Sequence, residues 1–178
     1  MGLKQKIFDH CLAKQPQRTV RFPHFEKPVK ALVIYESDLL ERNDAIKDIR
    51  QDMLRLQMDI TMWGYAAKKE ITSPVLPQSR ILGKKDYNLF GKPHQHVLEE
   101  LRKERYDVLI DLTTQPSLPL RYIALFANAD CKVGLHLGEG VHDLLIAPPG
   151  LDTVNAKPEA TWLFHQIMQY LTTIKSKD

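Results

Sequence analysis

The chain has 178 residues, 43% of them hydrophobic and 26% charged, with 8 Gly, 11 Pro, 2 Cys and a formal net charge of +3. That length closes a core without disulfides or a structural metal, and Cys11 and Cys131 alone make neither a disulfide framework nor a metal knuckle; both are expected as buried thiols. No apolar run approaches the roughly 18 residues of a membrane span and MGLKQKIFDH has no signal-peptide core, so a cytoplasmic protein without a membrane span is expected.

The charge is uneven. Residues 1–30 carry seven Lys and Arg against Asp9 and Glu26, a surplus of five, while the rest of the chain sums to −2. This basic leader begins with a helix in which Leu3, Ile7, Cys11 and Leu12 recur at helical spacing with Phe8 beside them. Pro16 ends it, and a proline-containing connector runs to residue 29. Leader and connector, 1–29, are expected to pack on a single α/β domain, 30–178, with the helix's polar face in solvent.

From Lys30 on, short β-branched runs alternate with helical periods, the pattern of a βα-repeating sheet. Residues 31–37, ALVIYES, read as a strand buried on both faces. A helix follows with Leu39, Ile46, Ile49, Met53 and Leu56 as its apolar stripe. Strands are expected at 58–66, with Met58, Ile60 and Met62 on one face, and at 79–83 after a proline-punctuated loop. A turn-rich passage, 84–93, leads to a helix with Val97, Leu98 and Leu101 inward, and then to YDVLIDLTT, 106–114, the strongest strand. A helix on LRYIALFANA, strands at 131–136 and 142–149 and a helix at 157–175 complete the chain. That last helix offers Ala160, Leu163, Ile167, Tyr170, Leu171 and Ile174 as its apolar face. The sum is a three-layer α/β/α sandwich with a mostly parallel, Rossmann-like sheet of about five to six strands, whose ligand belongs beyond the strands' C-terminal ends where their order reverses.

That rule selects the candidate site. Asp111 is placed among apolar neighbours near a strand end, where a carboxylate is hydrogen-bonded or has its pKa raised. It is a candidate general base, metal ligand or hydroxyl acceptor, or else a structural acceptor of backbone N–H groups. Asp38 is the second catalytic candidate, and Ser37, Trp63, Thr113, Thr114, Gln115 and His136 are the ligand-binding candidates. Neither a glycine-rich dinucleotide fingerprint nor a P-loop is present, and GLHLGEG at 134–140 reads as a hairpin-like or crossover turn. His94 and His96 are expected on different faces, and His136 and His142 to approach each other across the glycine turn without a carboxylate in register. No metal and no cofactor are expected. Arg80, Lys84, Lys85 and Lys92, interleaved with Tyr87 and Phe90, are either a nucleic-acid surface or a solvated loop held by two aromatic anchors.

The succession YDVLIDLTTQPSLPLRYIALFANADCKVGL resembles the strand–helix–strand segment that closes the N-terminal half of heptosyltransferase-type glycosyltransferases. FGKP at 90–93, the IDLT strand, KVGLH and DLLI are similar to a family of short, uncharacterised single-domain α/β proteins, over most of residues 30–147. The first resemblance implies a nucleotide-sugar substrate and an acidic base after the first strand, near Asp38 or Asp44; the second implies no activity. The expectation is a binding module for an unidentified small molecule or protein partner, with homo-oligomerisation open. A glycosyltransferase-like enzyme or subunit is the alternative, and a weak nucleic-acid binder the second alternative.

Overall fold

Residues 31–35 are buried without interruption, which requires a strand covered on both faces and in the middle of a sheet. The computed structural model describes residues 2–37, 40–67, 79–137, 140–147 and 159–174, except the side chains of 40–43. In it β1 (Lys30–Glu36) pairs in parallel with β2 (Asp59–Tyr65) on one side and β4 (Tyr106–Asp111) on the other. β3 (Ser79–Leu82), β5 (Ala129–Leu135) and β6 (Leu144–Ile146) extend the sheet, so the six strands of the described residues run β3-β2-β1-β4-β5-β6, all parallel. The order reverses between β1 and β4, the place where doubly wound sheets open their ligand crevice.

Two layers of helix cover the sheet. α2 (Leu40–Arg55) and α5 (Ala160–Thr173) bury Ile46, Ile49, Met53, Leu163, Phe164 and Ile167 on one face, with Val33, Val108 and Ile110 of the strands. α1 (Leu3–Ala13), α3 (Gln95–Lys103) and α4 (Leu118–Phe126) cover the other, over Leu32, Ile34 and Leu109. None of the helices in the described residues is long and apolar enough to cross a membrane.

Three expected apolar stripes shift. In α1 the buried residue is Phe8, and Leu3 is 64% exposed, because one short helix can turn only a narrow face to α4. The α2 stripe ends at Met53: Leu56 is half exposed in the turn that Gln57 closes with φ 58°, and Leu39 lies outside the described residues. Tyr170 of α5 is half exposed while Phe164 and Met168 are buried in its place. Cys131 is a buried thiol as expected, but Cys11 is only half-buried.

The strand expected over 142–149 shrinks to three residues, and its connection is a crossover. β5 and β6 are parallel with only residues 136–143 between them, too few for a crossover helix. The connection closes because β6 pairs only with Val133, Gly134 and Leu135, so the chain steps back down the sheet by roughly 7 Å. That step lays Val141 and His142 back over the sheet beside β5.

Candidate functional site

Register brings the predicted aspartate into a row. Trp63, Ile34, Asp111 and Gly134 are successive partners across β2, β1, β4 and β5. Gly134 leaves the space beside Asp111 open, and His142 fills it: a Cβ on Gly134 would lie 2.8 Å from His142 Nε2 and 3.0 Å from Asp111 Cβ. Asp111 is 4% exposed and hydrogen-bonded through both oxygens. Its Oδ1 accepts the Thr113 backbone N–H at 2.9 Å and the Thr113 hydroxyl, and its Oδ2 lies 3.0 Å from His142 Nε2. In the tautomer that carries its proton on Nε2, His142 donates to that oxygen. Gly134→Ala is expected to cost about 1–3 kcal/mol through overpacking, whereas Gly83→Ala, whose nearest neighbour would be 3.9 Å away, stays within about 0.5 kcal/mol of wild type; thermal unfolding of the two variants checks both.

Beside this pair Thr113, Gln115, Ser117 and Arg121 close a cavity of about 20 Å³. That is room for roughly one water molecule. Of the other residues expected here, Thr114 is buried next in the chain, and Ser37 is buried at the end of β1, with its N–H donating to Tyr65 O at 2.9 Å. Trp63 stands two strands away under the Arg80 guanidinium, 5.1 Å from its ring centre, and does not line the cavity. His136 is exposed, its N–H donating to Ile146 O, and Asp38 lies outside the described residues.

The histidines and the basic loop need correction. His142 meets Asp111 and not His136, because the short crossover turns it inward. His94 and His96 do not diverge: His94 is the extended N-cap of α3, which lets the two rings stack 6.2 Å apart. In the basic loop Tyr87 is buried but Phe90 is 38% exposed, so one aromatic anchors it. Arg80 is drawn onto Glu100 and Asp86.

The large concavity lies at the opposite end of the sheet. A groove of about 740 Å³ runs between the connector, the C-terminal ends of α3 and α4, and residues 140–143. Arg18, Arg21, Arg102, Arg105 and Lys132 line it, against Asp130 and Asp143. Arg105 forks onto Asp130 through Nη2 at 2.8 and 3.0 Å. Arg18 pins the connector to β5, donating to Ala129 O at 3.0 Å and to Asp143 Oδ2 at 2.5 Å. Lys132 is buried, its Nζ donating to Ala124 O at 2.6 Å and Leu125 O at 3.0 Å, carbonyls that the end of α4 leaves without helical partners. Burial, with Arg18 adding to it and Asp143 opposing, pushes the Lys132 amine down to about 7.

A family model described as a family of unknown function, DUF6913, matches residues 3–174. The chain belongs to that family. No curated protein and no solved structure matches the chain. None of these comparisons supports a likeness of this DUF6913 chain to heptosyltransferase-type enzymes.

Sequence reasoning missed the groove. It had two signals, the basic surplus of the leader and a lysine inside the apolar strand CKVGL. A lysine there is expected either to disrupt the strand or to have partners, and here it has two.

Proposed function

We propose that this domain is a binding module without catalysis, in which Asp111 is a structural acceptor. The observation that carries the reading is the enclosure of Asp111: Thr113 and His142 engage both of its oxygens, and the cavity beside it, about 20 Å³, has room for one water and not for a substrate. A general base must come within hydrogen-bond reach of its substrate, and Asp111, 4% exposed beside a one-water cavity, has no room for one there. A nucleotide-sugar site of the transferase kind needs a cleft of roughly 300 Å³ or more, far above the 20 Å³ beside Asp111.

The test separates structure from chemistry at one residue. Asp111→Asn keeps an acceptor for Thr113 but sets an amide against His142 Nε2, and is expected to cost about 1–2 kcal/mol, a fall of about 3–6 °C in thermal midpoint. UDP-glucose incubated with wild type or with Asp111→Asn is expected back intact from both. Release of UDP by wild type that the variant loses would overturn the reading in favour of glycosyl transfer.

A further inference from the structure

The groove at the N-terminal end of the strands points to a ligand. Its four arginines exceed its two carboxylates by two, and the buried Lys132 amine adds part of a third positive charge. The C-terminal ends of α3 and α4 face the same region, and each helix end carries roughly half a negative charge. Complementing those two ends uses about one unit of the excess, so a surplus of between one and two remains near neutral pH. Pairing tells the same story residue by residue. Arg105 is held by Asp130 and Arg18 by Asp143, whereas Arg21 and Arg102 have no carboxylate partner among the described residues. Arg102 rests over the Phe126 ring, 5.7 Å from its centre. Lys132 uses two of its three donors on α4 and lines the groove beneath the arginines.

We propose that this groove is a binding site for a small molecule carrying a diphosphate group. The inference extends the binding-module reading and rests on it only for the absence of turnover. Three features select this class. Two arginines without carboxylate partners among the described residues, Arg21 and Arg102, match the two phosphates of a diphosphate better than a single carboxylate. The cations are arginines apart from one lysine, and the planar guanidinium fork suits bidentate phosphate contacts. The volume, about 740 Å³, lies within the range of roughly 300–1,000 Å³ typical of small-molecule sites, and Phe126 gives it an apolar wall for the rest of the ligand. A nucleic-acid strand fits less well, because Asp130 and Asp143 stand among the cations and repel a continuous phosphate backbone.

Isothermal titration of the full chain with inorganic pyrophosphate and with ADP, at low ionic strength, tests the site. One saturable site is expected for each. Arg21→Ala and Arg102→Ala are each expected to weaken binding about ten-fold, the usual loss for a hydrogen bond to a charged group, and together about 100-fold if they act independently. Both side chains are exposed and without a carboxylate partner among the described residues, so the variants are expected to fold. Lys84→Ala, on the exposed loop far from the groove lining, is expected to bind as wild type does. Absent binding, or a double variant that binds as wild type does, would overturn the site. Tighter binding of a single-stranded oligonucleotide than of ADP, lost steeply with salt, would overturn it in favour of a nucleic-acid surface. Phosphorus NMR of the same samples reads turnover separately: pyrophosphate is expected intact, and release of orthophosphate would overturn the module reading while leaving the site in place.

Discussion

Phe8→Ala is expected to lower the stability of the whole domain by about 3–5 kcal/mol, the usual cost of emptying a buried phenylalanine site, and hence the thermal midpoint by roughly 10 °C. The residue belongs to the basic leader, ahead of every strand, yet it is fully buried. Its ring meets the edge of Tyr122 at 4.9 Å and 72°, a geometry that adds to the value of the buried area. The Arg121 guanidinium lies 4.3 Å from its centre. Phe8 is thus shared between α1 and α4, and a cavity left there cannot collapse without moving α4, which packs against β1. Leu3→Ala on the same helix removes an exposed side chain and is expected to change stability by less than about 0.5 kcal/mol. If urea unfolding gives both variants the wild-type midpoint, the leader is an appendage and not a part of the folded domain. A single cooperative transition shifted only in Phe8→Ala makes residues 3–13 part of the same folding unit.

What the chain announces locally differs from what it hides. The runs ALVIY and VLID are legible as buried parallel strands because burial on both faces leaves no room for polar alternation, and β1 and β4 are in fact the two central strands. The helical stripes are legible at their centres and not at their ends. Leu56 and Leu3 fit the period yet point outward, since the helix has already ended at one and has no neighbour at the other. The order of the strands has no local signature: it resides in which edges pair, and the same elements are compatible with several orders. The Asp111–His142 contact spans 31 residues and exists only because Gly134 has no side chain and the β5–β6 connection is short, two facts that join only in the folded sheet. Asp111 itself was legible as a buried acceptor, but its partner was not. The groove fails to show for a similar reason, since its arginines come from the connector and from the end of α3, more than eighty residues apart in the chain.

Lys132→Met separates two opposed effects in that groove. The side chain satisfies two carbonyls in the last turn of α4, and leaving both without a donor costs about 1–3 kcal/mol each. Against this stands the buried amine itself, held down to about 7 from an ordinary 10.5 mainly by loss of hydration. In the unfolded chain the amine keeps its proton up to about 10.5, so between pH 7 and 10.5 the unfolded state binds more protons and stability rises with pH. Below pH 7 both states are protonated and the slope vanishes. From pH 6 to 9 the gain integrates to about 2–3 kcal/mol. Near pH 9 the rise is cancelled, because burial pushes the Cys131 thiol from 9.0 up to about 12 and the unfolded chain gives up that proton first, and toward pH 10 the trend reverses as the buried phenols of Tyr35 and Tyr122, raised from 10.0 to about 12, add to it. Wild type is therefore expected to be most stable near pH 9, and Lys132→Met to be nearly flat from pH 6 to 9. The variant's deficit is then about 2–6 kcal/mol at pH 9 and smaller by about 2–3 kcal/mol at pH 6. Urea unfolding at pH 6, 7, 8 and 9 measures both curves. A deficit that is the same at every pH would mean that the α4 carbonyls hold the lysine charged throughout, with the helix end compensating its burial in full.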